Sequence, residues 1–295
     1  MALNIEFVCP TEAENTILGE LDNAYTKVSE MSFDERAFLN ALILKNTPKK
    51  LLEIGVSSGG SSIVILNAIK NIPSAKLYSI DLKDNWYKDS GKKTGYIVDD
   101  YQYLKSKWKL FTGALALEFI EEIGRGIDFC FIDTAHYNPG EIFDILMVLP
   151  YLADDAVIVF HDVKYHTTWR TRAGITNNLL ISSITGRKLL QGNTQRIFPN
   201  IAGIKTDVKT KENIFEIFNL LTIQWAYLPT DSQEKEIVSF FGRHYDEYYI
   251  KYVLDVFAYQ RELMKYNKAG RLKKIIKKII GDKNIKKIKK ILMKK

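Results

Sequence analysis

Residues 51–62 read LLEIGVSSGGSS. The apolar run KKLLEIGV (49–56) ends in glycine and has the length of a buried strand. Gly55, Gly59 and Gly60 carry no side chain, so the backbone there turns sharply and a ligand can come close to it. SSIVILNAIKN (61–71) follows with helical apolar spacing. Downstream the alternation repeats. AKLYSIDL (75–82) predicts a strand, and KDNWYKDSGKKTGY (83–96) a polar loop or lid. WKLFTG (108–113) predicts a strand, ALEFIEEIG (116–124) a helix, IDFCFID (127–133) a strand, 139–153 a helix and AVIVFHD (156–162) a fifth strand. Strands and helices in this rhythm predict an α/β fold: a Rossmann-like, doubly wound, mostly parallel sheet with helices on both faces. Upstream, 11–46 reads as two helices, and Ser32 with Glu35 three residues on has capping-box spacing. After Asp162 the alternation stops. NIAGIKTD (200–207) is a candidate for one more strand, and the rest to about Tyr266 predicts a mainly helical extension. The expected organisation is N-terminal helices over 1–48, a ligand-binding core over 49–207, a helical cap or oligomerisation region over 208–268 and a basic tail over 269–295.

The chain has 295 residues, 46% hydrophobic and 26% charged, so it can bury a core and is neither a disordered chain nor a fibre. No apolar run reaches the ~18 residues of a membrane span, and no basic start followed by an apolar stretch marks a secretory signal. Two cysteines make no disulfide framework, and a reducing cytoplasm is the expected location. The net charge of +7 is concentrated at one end. Residues 271–295 hold twelve Lys and Arg against one acid, Asp282, a net +11, which leaves the first 270 residues at −4. The basic balance therefore describes the tail's partner and not the ligand of the body.

The acid that follows at the next strand end is Asp81, where a carboxylate can accept two hydrogen bonds from a ribose diol. The glycine loop spells G-x-x-x-G-G and not the dinucleotide pattern G-x-G-x-x-G. Glu53 at its first turn is awkward for a pyrophosphate and suits a ligand bearing an ammonium or sulfonium. E-I-G-V-S-S-G-G-S-S, together with F-I-D-T-A-H and V-I-V-F-H-D further on, resembles class I S-adenosylmethionine-dependent methyltransferases. Within them it is similar to the small-molecule and sugar O-methyltransferases related to the catechol and caffeoyl-CoA enzymes. The resemblance covers about residues 50 to 163. It implies S-adenosyl-L-methionine as cofactor. Glu53 and Gly55 would line its methionine part and Asp81 would hold its ribose. Gly113, Ala114 and Leu115 would sit beside the adenine, and Ser58, Gly59, Ser61 and Asp133 would complete the cofactor set. A polar residue often follows that glycine in the family, whereas this chain has Ala114.

Three of the four histidines lie between 136 and 166. Asp133, His161 and Asp162 stand at the ends of adjacent predicted strands, and His136 begins the loop after Asp133. Adjacent parallel strands are about 4.8 Å apart, so these groups can share one volume. The resemblance implies a metal at Asp133, His161 and Asp162, with His136 as the base that takes the acceptor's proton. Mg²⁺ prefers an all-oxygen shell and His161 offers nitrogen, so three readings stand open: Mg²⁺ on the two aspartates, a metal such as Mn²⁺ that accepts imidazole, or no metal and proton chemistry by the histidines. His161 also reads as a buried structural histidine, His166 as part of a surface loop, and His244 as structural. Trp86 and Tyr87 are lid candidates.

RLKKIIKKII (271–280) on a helical wheel places Leu272, Ile275, Ile276, Ile279 and Ile280 opposite Arg271, Lys273, Lys274, Lys277 and Lys278. That segregation suits a helix lying in an anionic membrane surface. The alternatives are a solvated tail and nucleic acid, against which stand a single Arg and no aromatic residue. The reading that results is a cytoplasmic O-methyltransferase, peripheral on the inner membrane face, acting on a hydroxyl of a small molecule, sugar or glycan precursor. The alternatives are an oxidoreductase or metal oxygenase on the same sheet, and a non-catalytic membrane-docking adaptor. A homo-oligomer is compatible with the aromatic helix 247–266.

Overall fold

The computed structural model describes residues 4–19, 21, 29–167, 174–192 and 199–280, with 267–280 as backbone alone. Eight strands form one sheet: β1 (Ile5–Val8), β2 (Lys50–Ile54), β3 (Lys76–Asp81), β4 (Trp108–Thr112), β5 (Ile127–Ile132), β6 (Leu152–His161), β7 (Arg187–Gln191) and β8 (Ile201–Lys205). Their order is β1-β7-β8-β6-β5-β2-β3-β4. All neighbouring pairs are parallel except those of β8, which runs antiparallel between β6 and β7. The helices described are α1 (Glu12–Gly19), α2 (Phe33–Asn46), α3 (Gly60–Ile69), α4 (Ala116–Ile123), α5 (Gly140–Val148), α6 (Thr176–Ser183), α7 (Val208–Glu212), α8 (Phe215–Asn219), α9 (Asp231–His244) and α10 (Glu247–Ile280).

Successive side chains of a strand point to opposite faces, and both faces here are covered. Leu51, Phe129, Phe131, Val157 and Val159 enter one core with α2 and α3. Their neighbours Leu52, Cys130, Ile132, Ile158 and Phe160 enter the other, with α4, α5 and the C-terminal helices. Every residue of α3 is buried, because the helix lies between the sheet and α2. α2 starts as its sequence predicts: Ser32 caps it and the Glu35 side chain returns to the Ser32 backbone.

Two strands escaped the sequence reading. β1 lies within the segment expected to be helical, and β7 falls where the alternation was expected to have ended. Each is short, and β1 is held as an edge strand by β7, 183 positions away in register. The candidate strand at 200–207 is β8, and its reversed direction depends on a partner choice that no local pattern encodes. The C-terminal helices share the core of the sheet rather than sitting apart from it. Phe143 of α5 packs edge-on against Trp225 at 5.5 Å and stacks with Phe257 of α10 at 5.9 Å. Buried Gln260 receives Trp225 N–H at 3.1 Å and donates to the carbonyls of Leu221 and Ile223. The aromatic helix is thus core on its inner side, with Tyr248, Tyr259 and Tyr266 exposed on the outer. No described helix is long and apolar enough to cross a membrane.

Glu53 ties the centre of the fold together. Its carboxylate is wholly buried and accepts hydroxyls from Ser61 and Ser62 of α3 and Ser79 of β3, each at 2.6 Å. Ser79 in turn accepts the indole N–H of Trp108 on β4 at 2.8 Å. Burial pushes the Glu53 carboxyl up to about 7 against the pull of the three hydroxyls. The folded chain then holds a proton that the unfolded chain has released, so stability falls as pH rises from about 4.5 to about 7, by at most about 1.4 kcal/mol per unit. Glu53→Gln removes that proton linkage. Urea unfolding at pH 5 and pH 8 should show the variant gaining on the wild-type chain as the pH rises; parallel pH dependences would refute the linkage.

Candidate active site

A cleft of about 840 Å³ runs along the carboxyl ends of β4, β3, β2, β5 and β6. Its floor is built at Gly55, which adopts φ +90°. A Cβ there would overlap the carbonyl oxygen of Asp133, so the end of β2 can lie against the end of β5 only because the residue is glycine. Asp133 N–H donates to Ile54 at 2.9 Å and Gly55 N–H to Ile80 at 2.9 Å, which draws three strand ends together. Asp81 holds the turn itself. One carboxylate oxygen accepts the N–H groups of Val56 (2.9 Å) and Ser57 (3.0 Å), and the other that of Lys83 (2.8 Å).

The cofactor residues expected from the sequence divide into those that line the cleft and those that support it. Gly55, Ser58, Ser61, Asp81, Ala114, Leu115 and Asp133 line it. Glu53 does not: it lies beneath the loop, its oxygens taken by serine hydroxyls, one of them that of Ser61. Gly59 and Gly113 are also outside the lining. Gly59, at φ +101°, lets the loop pass Gly95 of the lid segment, and Gly113 makes room for the Asp84 carboxylate. In that segment Trp86 donates to Ser57 Oγ at 3.2 Å, and Tyr87 lines the cleft and donates to Glu30.

The chemical groups gather where β5 and β6 end. His136 and Asp162 both adopt left-handed backbone, φ 57° and 53°, a conformation that costs non-glycine residues roughly 1 kcal/mol each and places their side chains face to face. His136 Nε2 stands 3.2 Å from Asp162 Oδ2 and 3.7 Å from Asp133 Oδ1. Its Nδ1 is 3.8 Å from the buried Glu141, and Tyr165 lies against the ring at 5.0 Å. Asn200 donates to Asp162 Oδ1 at 2.6 Å and fixes that carboxylate. His136, Asp133 and Asp162 offer donor atoms within 4.8 Å of one another.

His161, expected among the metal ligands, is the more deeply buried of the two histidines beside Asp133. It is buried behind Asp133, its Nδ1 3.2 Å from Asp133 Oδ1 and its Nε2 3.6 Å from Glu35. Burial works against its charge, but Asp133, Glu35 and Asp162 outweigh burial and hold its pKa well above the ordinary value. His161 Nδ1 also stands 3.8 Å from Asp162 Oδ1, so both histidines border the two aspartates, while the donor atoms that lie within 4.8 Å of one another are those of Asp133, His136 and Asp162. Burial opposes the ionisation of Glu35 and Asp133 as well. Contact with His161 reverses this, lowering Asp133 and drawing Glu35 down to about 2, where the Ser32 bonds assist. His166 is not among the residues lining the cleft, and His244 sits against Phe240 and Tyr151, away from it.

Residues that the sequence reading passed over complete the cleft. Met31 and Glu30 reach it from ahead of α2; Tyr165 follows β6; Phe143, Asp144 and Met147 come from α5. The extension beyond β8 supplies Tyr227, Pro229, Gln233 and Ile237. It also holds the His136 loop, through Asn138 Nδ2 to Ile223 at 2.8 Å and Ala226 N–H to Asn138 at 2.8 Å. The one local sign of an unusual environment here was the pair of acids Glu141 and Asp144, three residues apart on a mostly apolar helix.

Residues 52–163 match the family model of a methyltransferase domain. No curated protein matches the chain. Among solved structures, TomG of Streptomyces achromogenes, an O-methyltransferase of tomaymycin synthesis in complex with SAM, is 16% identical with a TM-score of 0.47 over 66% of this chain and 96% of its own. An O-methyltransferase of Bacillus cereus in complex with SAH is 18% identical, TM-score 0.45, over 67% and 92%. The SAH-bound methyltransferase PaMTH1 of Podospora anserina is 14% identical, TM-score 0.45, over 66% and 87%.

The close approach at Gly55 makes a sharp prediction. Gly55→Ala should destabilise the chain by more than about 2 kcal/mol, since both the contact and the positive φ oppose it. Gly242→Ala, with nothing within 4 Å of the added Cβ in α9, should be neutral or stabilise by about 0.5–1 kcal/mol. Thermal melts that rank the two the other way would contradict the packing described.

Proposed function

We propose that the chain, which carries a methyltransferase domain at residues 52–163, is an S-adenosylmethionine-dependent O-methyltransferase acting on a hydroxyl of a small molecule, sugar or glycan precursor. The observation that carries this reading is His136, an imidazole flanked by carboxylates at one end of a cleft whose middle is the Gly55 turn and Asp81. The residues fit the cofactor. The Cβ-free turn admits a ligand against the backbone, and each Asp81 oxygen accepts from the backbone while the side chain still faces the cleft toward a ribose diol. S-adenosylmethionine supplies an electrophilic methyl group, whose bond to sulfur breaks as the bond to the acceptor oxygen forms.

The chain's own part is to bring the acceptor hydroxyl into line and to take its proton. His136 Nε2 receives the proton, and Asp162, held by Asn200, stabilises the imidazolium that forms. His161 stays behind, a fixed positive charge that keeps Asp133 ionised. Asp133, His136 and Asp162 also fit a divalent ion that accepts one nitrogen with two oxygens, Mn²⁺ sooner than Mg²⁺, which would supply Lewis-acid activation of the hydroxyl. The methyltransferase match favours this chemistry over the oxidoreductase reading.

Calorimetric titration should show S-adenosylhomocysteine binding and NADH not binding. With methyl-labelled S-adenosylmethionine and a panel of sugar and aromatic hydroxyls, His136→Ala should lower kcat by about 10²- to 10⁴-fold while S-adenosylhomocysteine affinity stays within about twofold. Turnover insensitive to His136→Ala would remove the assigned base. Activity lost to a chelator and restored by Mn²⁺ would assign the trio to a metal.

The tail gives the second part of the proposal: residues 271–295 seat the enzyme on an anionic membrane surface. α10 runs on to Ile280, with Gln260 the last buried residue among those of the helix whose side chains are described; residues 281–295 lie outside the described residues. The charge of +11 and the segregated isoleucines of the sequence support this reading. The full chain should sediment with phosphatidylglycerol-rich vesicles at low salt and be released at high salt, and a chain ending at 270 should stay in solution. Equal sedimentation of both forms would dismiss the anchor.

A further inference from the structure

The inner side of His136 meets a carboxylate that the proton transfer above does not use. Glu141 follows the His136 loop in the first turn of α5 and is wholly buried. Its Oε1 stands 3.8 Å from His136 Nδ1. Among the described residues no donor completes a hydrogen bond to either Glu141 oxygen, and His136 Nδ1 is likewise without a partner. Burial pushes the carboxyl up to about 8, the backbone N–H groups of Glu141 and His136 pull it down, and the charges of Asp144 and Asp133 add to burial. Buried polar atoms left in this way are costly singly, and the cost falls when they pair with one another.

A neutral imidazole carries one proton, on either of its nitrogens. The cleft side of His136 draws that proton to Nε2, because Asp162 Oδ2 lies 3.2 Å and Asp133 Oδ1 3.7 Å from that atom. A ring protonated there has no lone pair facing the acceptor and cannot take its proton. A carboxylate on the opposite side of the ring reverses the balance: Nδ1–H donates to it, and Nε2 keeps its lone pair. Glu141 is that carboxylate. Hydrogen bonds of this kind are often long in an unliganded site and tighten once the reactants are bound.

We propose that Glu141 is the positioning residue of His136: it accepts Nδ1–H and holds the ring in the tautomer whose Nε2 is free to receive the acceptor's proton, an inference that rests on the O-methyltransferase reading above. Glu141 is not among the residues lining the cleft, so it touches neither cofactor nor acceptor and acts through the ring. As the bond from methyl carbon to acceptor oxygen forms and the bond to sulfur breaks, the hydroxyl proton passes to Nε2. The Nδ1 proton stays between the ring and Glu141. The imidazolium that results lies between Glu141 on one side and Asp162 and Asp133 on the other.

The test locates the proton. Long-range ¹H–¹⁵N correlation spectra of chain labelled at histidine distinguish the two tautomers, and the His136 signals are those lost in His136→Ala. At pH 9 with a chelator present, so that Glu141 is ionised and no ion sits on Nε2, the wild-type ring should carry its proton on Nδ1. Glu141→Gln, whose amide can itself donate to Nδ1, should move the proton to Nε2. It should also lower kcat by about 10²- to 10⁴-fold while the acceptor KM and S-adenosylhomocysteine affinity stay within about twofold. In a His136→Ala background the same substitution should lower turnover no further, whereas a merely structural role would lower it there too. A wild-type ring protonated on Nε2 overturns the proposal even if Glu141→Gln fails to fold, and so does a folded Glu141→Gln that keeps the wild-type tautomer. Neither spectrum depends on turnover, so the O-methyltransferase reading stands or falls separately, on S-adenosylhomocysteine binding and methyl transfer.

Discussion

The contact of backbone with backbone at Gly55 governs this molecule. One glycine at φ +90° lets the carbonyl of Asp133 pass where any side chain would stand, so β2 and β5 finish side by side. That closeness puts Asp133 in the cleft rather than behind it, and the turn after it swings His136 back over the strand ends. Beneath the same turn Glu53 binds β2, α3 and β3 through three serine hydroxyls, so the loop rests on a hydrogen-bonded base rather than on apolar packing alone.

Two kinds of carboxylate surround the cleft, and environment separates them. Glu53, Glu141 and Asp144 are desolvated without a fixed positive partner, and burial raises them to about 7, about 8 and about 7. Buried Glu35 and the partly buried Asp133 each face His161, and both are lowered. The ionised pair and its imidazolium therefore form a fixed charged block behind His136. His136 stands in front of that block, its Nε2 3.7 Å from Asp133 Oδ1 and 3.2 Å from Asp162 Oδ2.

The segment after β8 is more than an appendage. It shares a core with α5 through Phe143, Trp225 and Phe257, ties the His136 loop through Asn138, and roofs the cleft with Tyr227 and Gln233. Damage to this segment would reach the His136 loop by way of α5, so its stability and the site's geometry are one problem.

Read alone, the sequence determined the elements from 49 to 162, the capping of α2 by Ser32 and Glu35, the glycine turn with Asp81 after it, and the concentration of histidine and aspartate at two strand ends. Those features are local: hydrophobic period, cap spacing and glycine placement act over a few residues, and a single chain displays them directly. Tertiary structure decided which face each group meets. It buried Glu53 under the loop, turned His161 toward Glu35 and made His136 the third member of the cluster, because a strand's last residue can face the cleft or the core with the same spelling. It also reversed β8 between β6 and β7, brought β1 to the far edge, and delivered Asp144, Tyr227 and Gln233 to the cleft. Each of these depends on a partner distant in the chain, and pairing over such distances is set by the total burial of two faces at once, which no window of residues contains.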